Sequence, residues 1–526
     1  MTPSTSCPSP LAIRNVLVYD GTGRPPFIAD VIIKESLVAA MDTTGSLNLT
    51  GMQQLDATGL ALAPGFIDVH SHSDAPILQC PTADSRVSQG ITTEIVGNCG
   101  FSTACQENRR QRDDGGDDIL WKDVSSYAAE VERRQPAVNI ATLCGHNTLR
   151  AMAIGYDKKA PSNDQLNQMK AILKQALDQG ALGFSSGLVY LPGRFADTAE
   201  VKALAAVLQG TVKPYCTHMR DENAGIIEAI QEAAEIASCG SKRLHISHLK
   251  ISGGPAHWPK YDAAVAAIAA ARDAGVTVTA DCYPYVFCET SLRQVMPEPY
   301  VDIHDLKKLF QEHPEAKADA VKALDQGIHP AWQTCNGWKS IVLCNTGDPA
   351  DRDVLGLTIA EIAARRGQTP GTVCVDIIAR TNASAAYETM SQENMLKFLQ
   401  FPWVMPGTDG SATSFDYSVK RGHPRYFGTF PRFFHLTRHF APAAEIIRRM
   451  TSLPAEVFNL AGRGRIAVGA PADLVLFDED SLDAGCDFAA PHTLATGIRQ
   501  TFVGGVIAFD HENPTSRPRA GKFLFA

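Results

Sequence analysis

The sequence lacks several features that would have placed its 526 residues in a specialised class of protein. It has no run of 18 or more apolar residues, so we predict no membrane-spanning helix. Residues 1–7 contain no basic segment followed by an apolar one, so we expect no secretion signal. Internal repeats and low-complexity segments are also missing. These absences favour an ordinary globular protein with neither a membrane partner nor a repeat architecture.

An excess of positive charge is absent as well. The net charge of −9 and the pI near 5.9 argue against nucleic acid or an anionic membrane as the main partner. The 13 cysteines are odd in number and are not spaced as in a small disulfide-linked domain. We therefore expect reduced thiols and a cytoplasmic location. Hydrophobic residues make up 44% of the chain, enough for a large core, and the oligomeric state stays open.

The two ends of the chain carry short strand-like segments separated by turn residues. Such segments occur at residues 12–19 and 29–34, and again at 472–478 and 498–503. Glycine and proline residues at 21–26 interrupt the first two, which is typical of antiparallel hairpins. We predict that residues 1–62 and 463–526 pair into one small β-sandwich domain.

Between these ends, apolar strand segments alternate with helical stretches such as 226–237 and 261–271. This alternation indicates βα units and a parallel sheet. Eight candidate strands end near His72, Cys99, Gly145, Gly187, His218, His248, Tyr285 and Asp409. We predict an α/β fold with a (β/α)8 TIM-like barrel over residues 63–462, whose active site lies at the C-terminal strand ends. Residues 286–400 are too long for a simple crossover and are predicted to be an insertion between strands 7 and 8 that forms a lid.

Histidine and cysteine residues cluster at the predicted strand ends. His70 and His72 alternate with period two after an apolar segment, so their imidazoles point the same way. Cys99, His218 and His248 lie where three further strands give way to loops. A thiolate and imidazoles favour Zn²⁺ over Mg²⁺ or Ca²⁺. Zinc with an open coordination position activates water at neutral pH, and Asp409 would take the proton and pass it to a leaving nitrogen.

Each of these residues also has a plainer interpretation. A single strand-end cysteine is usually a small buried hydrophobe, which applies fully to Cys80, Cys144, Cys216 and Cys282. His245 differs in parity from His248 and is expected to pack or to form a hydrogen bond behind the barrel. His146 could equally be a hydrogen-bonding loop residue or a site residue. Asp68 is expected to orient a neighbouring residue. Asp409, taken alone, could be the N-cap of a helix. Five candidate ligands at strand ends are nevertheless hard to explain by chance.

The motifs resemble those of the amidohydrolase superfamily and, within it, of the N-acyl-D-amino-acid deacylases, often called D-aminoacylases. The matching segments run in the family's order along nearly the whole chain. They are residues 65–74 (GFIDVHSHSD), 90–93 (GITT), 97–100 (GNCG), 180–190 (GALGFSSGLVY), 217–220 (THMR), 246–250 (ISHLK), 406–410 (PGTDG) and 469–474 (GAPADL). Together these segments are a specific signature.

The resemblance implies hydrolysis of an N-acyl-D-amino acid, a small-molecule substrate, to a carboxylate and a free D-amino acid. It implies one zinc ion held tightly by Cys99, His218 and His248, with a second, weaker position at His70 and His72. Asp409 would be the catalytic acid and base. Lys250 and Tyr190 would grip the substrate carboxylate with Tyr283 as a further candidate, although both tyrosines also fit half-buried aromatic residues.

Besides hydrolysis of an N-acyl-D-amino acid, the sequence leaves a second and a third hypothesis open: another amide substrate, or no enzymatic activity. Predicted strand four, residues 180–188, contains no lysine, whereas many superfamily members carry a carboxylated lysine there. This disfavours opening of a cyclic amide, but a cyclic amide, a dipeptide or another acylated amine stays an alternative substrate. A non-enzymatic barrel that merely retains the ligands is the third possibility.

Two residues bear on substrate preference. Arg293 would either reach an acidic substrate side chain or be a solvated loop arginine. Asn147 stands where the family pattern leads us to expect a small residue.

Overall fold

The structure, a computed structural model, describes residues 10–111, 117–327, 334–415, 421–514 and 518–526. The segment on which the prediction of no secretion signal rests, residues 1–7, lies outside the described residues. Within the described residues no helix is both long enough and apolar enough to cross a membrane.

The strands follow one another in four groups along the chain. The first group contains β1 (Leu11–Val18), β2 (Phe27–Lys34), β3 (Leu37–Asp42), β4 (Gln53–Asp56) and β5 (Ala61–Pro64). The central group contains β6 (Phe66–Asp68), β7 (Ile91–Val96), β8 (Asn108–Gln111), β9 (Asp117–Trp121), β10 (Asn139–Thr142), β11 (Cys144–Gly145), β12 (Phe184–Gly187), β13 (Tyr215–His218), β14 (Arg243–Ile246) and β15 (Thr277–Cys282). The third group contains β16 (Phe287–Ser291), β17 (Ile341–Asn345), β18 (Ser384–Glu388) and β19 (Val404–Pro406). The last contains β20 (Leu474–Phe477), β21 (Ile498–Val503) and β22 (Val506–Asp510).

Helices separate most of these strands. Those before β16 are α1 (Pro76–Gln79), α2 (Asp84–Val87), α3 (Val124–Arg134), α4 (His146–Ala153), α5 (Asn163–Asp178), α6 (Thr198–Ala205), α7 (Ile226–Ser238) and α8 (Tyr261–Asp273). Those after it are α9 (Leu306–Glu312), α10 (Pro314–Gln326), α11 (Ile359–Arg366), α12 (Pro370–Arg380), α13 (Gln392–Phe398), α14 (Arg425–Thr437), α15 (Ala443–Met450) and α16 (Ser452–Val457). α7 buries residues 226, 229, 230, 233, 236 and 237, the helical spacing of one apolar face. The predicted helices at 226–237 and 261–271 are therefore confirmed.

Strands from both ends of the chain share one sheet. Its order is β22-β21-β20-β5-β1-β2-β3, with β4 paired to β1. β20 runs antiparallel to β5, and this pairing joins the C-terminal strands to the N-terminal ones. Buried side chains from both ends, among them Ile13, Val31, Leu474 and Phe502, pack in one cluster. β20 is buried along its whole length and β2 over five consecutive residues. Short apolar segments bounded by turn residues, and not alternation, therefore located these strands in the sequence.

Parallel strands form the centre of a mixed α/β fold. β6, β7 and β10 pair in the order β10-β7-β6, and the remaining strands pair in the order β11-β12-β13-β14-β15-β19. Only Leu143 separates β10 from β11, and its amide donates to the carbonyl of Val96 at 2.8 Å. At the other edge, a parallel bridge joins Ser71, which follows β6, to Gly410, which follows β19. The C-terminal ends of these parallel strands therefore meet at one edge, where the predicted site residues lie.

The segment between β15 and β19 has a sheet and a core of its own. β16, β18 and β17 form an antiparallel sheet, and α9 to α13 lie in the same segment. Its buried cluster includes Leu292, Phe310, Leu343 and Tyr387. Asp302 of this segment pairs with Lys158 at 2.9 Å and with Arg194 at 3.0 Å. These ion pairs tie the segment to loops that follow α4 and β12.

Candidate metal centre and substrate cavities

The backbone beyond β6 brings His70 and His72 toward β19. The amide of Asp409 donates to the carbonyl of His70 at 2.8 Å, and the amide of His72 donates to the carbonyl of Gly410 at 2.7 Å. The prediction that Asp68 orients a neighbour is confirmed, because its carboxylate accepts from the amides of His70 at 3.2 Å and Thr408 at 2.9 Å. The two imidazoles are thus fixed by the backbone that carries them.

The thiol of Cys99 lies at the centre of the predicted cluster. Its Sγ is 3.3 Å from His70 Nε2, 3.6 Å from His248 Nε2 and 3.8 Å from His218 Nδ1. Burial raises the pKa of the Cys99 thiol, but the three imidazoles outweigh burial and hold that pKa well below its usual range. A thiolate is the metal-binding form of cysteine, so the cluster favours a metal ligand at this position.

Two sets of side chains share this thiol. Cys99, His218 and His248 form one set, and His70, His72, Cys99 and Asp409 form the other. Within each set the candidate ligand atoms all lie within 4.8 Å of one another. The donors are a thiol, imidazoles and one carboxylate, which suits zinc.

Three of these residues have left-handed backbone conformations. The φ angles are 53° at Cys99, 37° at His248 and 47° at Asp409. This region is costly for residues with a side chain, and such strain concentrates at functional sites. Gly97 and Gly100, both with a φ of 80°, flank Cys99, and a Cβ on either would collide with neighbouring atoms. The backbone conformation of the loop after β7 therefore fixes the position of the Cys99 thiol.

Glu222, which the sequence analysis did not single out, lies behind two of the imidazoles. Its Oε1 is 3.0 Å from His248 Nδ1, and its Oε2 is 3.6 Å from His218 Nε2. Oε2 also lies 2.5 Å from Lys250 Nζ, which is itself 2.8 Å from His248 Nδ1. Burial raises the pKa of Glu222, but Lys250 and the two imidazoles lower it to about 2. Glu222 therefore joins the outer nitrogens of two candidate ligands to the candidate substrate-binding lysine.

Asp281 has a similar position behind His70. Its Oδ2 is 3.1 Å from His70 Nδ1 and 3.0 Å from His245 Nε2, while its Oδ1 accepts from the amide of His248 at 3.0 Å. His245 in turn lies 3.0 Å from Thr279 Oγ1, so the prediction that it forms a hydrogen bond away from the site is confirmed. Such outer carboxylates fix the orientation of histidine ligands.

The carboxylate of Asp409 faces the imidazoles on one side and a guanidinium on the other. Its Oδ1 is 3.1 Å from His72 Nε2 and 3.5 Å from His70 Nε2, and its Oδ2 accepts from Arg425 at 2.8 Å. Burial raises the pKa of Asp409, but Arg425 and His70 outweigh burial and hold it well below its usual range. The residues that follow Asp409 form no helix up to residue 415, so the alternative of a helix N-cap is wrong.

Two cavities open beside Asp409 and Tyr190. The first, of about 270 Å³, is lined by His218, His248, Lys250 and Tyr283 among others. The second, of about 530 Å³, is lined by His72, Cys99, Arg293 and Arg425 among others. Asp409, Tyr190 and Glu289 border both cavities. A molecule bound at Asp409 could therefore extend into both cavities.

The predicted substrate-binding residues lie in different surroundings. The ring of Tyr190 is 4.7 Å from that of His218. The Tyr283 hydroxyl is buried, and no hydrogen-bond partner for it is found among the described residues, while Arg425 lies 4.9 Å from its ring centroid. Arg293 donates to the carbonyls of Ile303 and, at 2.9 Å, of His304. It is half-buried and lines the second cavity.

Two residues near the site have structural partners. His146 is the first residue of α4, and its Nε2 lies 2.8 Å from Glu200. Of the two alternatives for His146, a hydrogen-bonding residue or a site residue, this contact favours the first. Asn147 donates to the carbonyls of Gly187 at 3.0 Å and Tyr190 at 3.2 Å, which holds the loop that carries Tyr190.

Four residues that contact or line the site were not predicted from the sequence: Glu222, Asp281, Arg425 and Glu289. Glu222 lies four residues beyond His218, within the same charged segment, and Asp281 lies in an apolar strand, so both had a local signal. Arg425 and Glu289 carry no recognisable motif, although Glu289 lies between the predicted candidates Tyr283 and Arg293.

Comparison with known proteins agrees with this geometry. The sequence profile of the amidohydrolase family matches residues 53–343 and 437–509. The chain is 33% identical to an N-acyl-D-glutamate deacylase of Alcaligenes xylosoxydans xylosoxydans over 97% of this chain and 95% of that protein. It is 30% identical to a D-aminoacylase of the same organism over 100% of this chain and 99% of that protein.

Solved structures give the same result. An N-acyl-D-glutamate deacylase of Bordetella bronchiseptica, complexed with zinc and a phosphonate mimic of the tetrahedral intermediate, matches with a TM-score of 0.79 and 30% identity. The match covers 98% of this chain and 99% of that one. A dihydropyrimidinase of Brevibacillus agri matches with a TM-score of 0.56 at 14% identity, which shows a shared fold alone. On its sequence and on its structure, the chain belongs to the amidohydrolase family.

Proposed function

We propose that the protein is a zinc-dependent hydrolase that cleaves N-acyl-D-amino acids to a carboxylate and a free D-amino acid. The observation that carries this proposal is the cluster of Cys99, three histidines and Asp409 between two cavities. Relatives that match over nearly the full chain are named as deacylases of D-amino acids.

The side chains fit a zinc ion. Cys99, His218 and His248 would hold it tightly, and His70 and His72 would form a second, weaker position that shares Cys99. A D-aminoacylase of similar structure (29% identity, TM-score 0.80) is described by activation with one metal and attenuation by a second at a binuclear centre. When bound, zinc supplies Lewis-acid chemistry that polarises a carbonyl and makes water more acidic.

Asp409 performs the proton transfers in this proposal. Its Oδ1 faces the imidazole cluster and accepts a proton from the attacking water, while Arg425 holds Oδ2 in place. The same carboxyl group then donates that proton to the departing nitrogen, which leaves as the free amine. The lowered pKa of Asp409 keeps its carboxylate ionised and therefore able to accept a proton.

The remaining polar groups of the first cavity bind the substrate carboxylate. Lys250 supplies a positive charge and Tyr190 a hydroxyl donor on the wall that both cavities share. The buried Tyr283 hydroxyl gains a partner when a carboxylate enters. Arg293, on the rim of the second cavity, stays a candidate for contact with an acidic side chain.

A closed (β/α)8 barrel of the central strands would place these site residues together at one end of the fold. We propose that residues 63–462 form this barrel, and that residues 1–62 and 463–526 form a small β-sandwich domain. Residues 286–400 would act as a lid, supported by the separate core of that segment and its ion pairs at Asp302. The cytoplasmic location stays a prediction.

Release of free amine from N-acetyl-D-methionine and N-acetyl-L-methionine tests the function. We expect rapid release from the D-enantiomer alone, complete loss after treatment with a chelator, and recovery with added zinc. The strand β12 reads Phe-Ser-Ser-Gly and lacks a bridging lysine, so we expect no opening of dihydrouracil or hydantoin. Equal rates on both enantiomers, or activity that survives full metal removal, would contradict the proposal.

A further inference from the structure

Glu289 occupies the wall between the two cavities. It lies in the middle of β16, on the first strand of the inserted segment, and only 9% of it is exposed. It borders both cavities together with Asp409 and Tyr190. Glu289 is therefore a buried acidic residue on the wall that the two cavities share.

The carboxylate of Glu289 is only half satisfied. Its Oε1 accepts from Ser384 at 2.7 Å, whereas its Oε2 is buried and has no hydrogen-bond partner among the described residues. The guanidinium of Arg425 donates to the backbone carbonyl of Glu289 at 3.2 Å and to the carboxylate of Asp409 at 2.8 Å. Tyr426 lines the second cavity and faces the same carboxylate. Burial raises the pKa of Tyr426, and the charge of Glu289 together with a side-chain contact between the two residues raises it further.

Each described arginine or lysine that lines the two cavities has at least one carboxylate or carbonyl partner. Their partners are Asp302 for Arg194, Glu232 for Arg220, Glu222 for Lys250, Asp409 for Arg425 and two carbonyl oxygens for Arg293. Buried atoms without a hydrogen-bond partner among the described residues also occur in Glu222, Tyr283 and Arg425. Of the two carboxylates in this group, Glu222 is ion-paired with Lys250, whereas no ion pair of Glu289 is found among the described residues. A buried carboxylate oxygen without a donor carries a desolvation cost that a ligand with a cationic donor would remove.

We propose that Glu289 selects substrates that carry an ammonium or guanidinium group next to the scissile amide. This inference rests on the proposed deacylase function and specifies its substrate class. The group belongs either to the side chain of the D-amino acid, as in N-acyl-D-lysine or N-acyl-D-arginine, or to the acyl part, as in an aminoacyl-D-amino acid. A carboxylate side chain in the same place would face the Glu289 charge and be disfavoured.

A substrate series tests the proposal with the zinc-loaded enzyme. N-acetyl-D-lysine is compared with N-acetyl-D-norleucine, which lacks only the ammonium, and N-acetyl-D-glutamate with N-acetyl-D-glutamine. N-glycyl-D-norleucine places the ammonium in the acyl part and so distinguishes the two sources. We expect kcat/KM for one of the two ammonium substrates to exceed that for N-acetyl-D-norleucine at least about tenfold, the scale of a hydrogen bond to a charged group.

The variant Glu289→Gln removes the charge and keeps the shape. We expect the ratio of kcat/KM between the ammonium substrate and its neutral counterpart to fall to near one. The matched control is Glu388→Gln on β18, because Glu388 accepts from Ser340 at the same 2.7 Å and lines neither cavity. The control variant should keep the ratio of the unmodified enzyme.

Binding measured by calorimetry separates this proposal from the proposed function. If no N-acyl-D-amino acid is hydrolysed but N-acetyl-D-lysine or N-glycyl-D-norleucine still binds more tightly than N-acetyl-D-norleucine in a Glu289-dependent way, only the function fails. Equal kcat/KM or equal binding for ammonium and neutral substrates would overturn the role of Glu289. A preference for N-acetyl-D-glutamate over N-acetyl-D-glutamine would overturn it as well.

Discussion

The floor and the roof of the cavities are built in different ways. The floor consists of His70, His72, Cys99, His218, His248 and Asp409, which lie at or just beyond the ends of parallel strands. The roof consists of residues 287–295, which come from the inserted segment with its separate core. Glu222, Asp281 and Arg425 back His248, His70 and Asp409 of the floor through ion pairs, whereas no ion pair of Glu289 in the roof is found among the described residues.

This difference assigns separate tasks to the two regions. Groups that must hold a metal and transfer protons need fixed positions, and a second layer of hydrogen bonds supplies them. Groups that choose among substrates need spare hydrogen-bonding capacity, which only an incompletely satisfied side chain retains. Changes to the floor should therefore lower all activity, and changes to the roof should alter the ranking of substrates.

The largest effect is expected for Asp409→Asn. The amide cannot take a proton from water, so we expect activity to fall at least about a hundredfold on every substrate, the scale of general acid–base catalysis. Zinc content should stay near that of the unmodified protein, because Cys99, His218 and His248 remain. Steady-state kinetics and metal analysis measure both. Near-normal turnover would contradict the role of Asp409 and the division between floor and roof.

A smaller effect is expected for Glu222→Gln. The two imidazoles lose a shared anionic neighbour, so we expect zinc affinity to fall about 10- to 100-fold, the usual effect of removing an outer partner. Competition with a chelator measures this affinity without reference to activity. Glu232→Gln is the matched control, because Glu232 pairs with Arg220 at 2.8 Å and contacts no imidazole of the floor. Unchanged affinity in Glu222→Gln would show that the floor does not depend on its second layer.

The smallest effect is expected for Arg293→Ala. Its guanidinium is committed to the carbonyls of Ile303 and His304, so we expect kcat/KM to change by no more than about fivefold, the scale of one net hydrogen bond. The change should be equal for N-acetyl-D-glutamate and N-acetyl-D-methionine. A selective loss on the acidic substrate would instead make Arg293 a second selective group in the roof.

The floor could be predicted from the sequence, and the roof could not. An apolar strand followed by a histidine or cysteine is a local pattern, and the parallel arrangement of strands then brings the residues together. Glu222 and Asp281 were close to recognised motifs, yet their role depends on which side of an imidazole they face. Glu289 enters from β16 of the inserted segment and Arg425 from the start of α14, and only the tertiary structure shows that the two meet. The engagement of Arg293 with two carbonyls likewise depends on the path of residues 303–304.

The position of Glu222 between His248 and Lys250 has a thermodynamic consequence. One carboxylate contacts a candidate metal ligand on one side and the candidate anchor of the substrate carboxylate on the other. The two binding equilibria are then coupled through a shared residue, and such coupling is reciprocal by necessity. A substrate carboxylate that draws Lys250 toward itself leaves more of the negative charge of Glu222 to the imidazoles. We therefore expect the zinc affinity of the protein to be higher with substrate bound than without substrate.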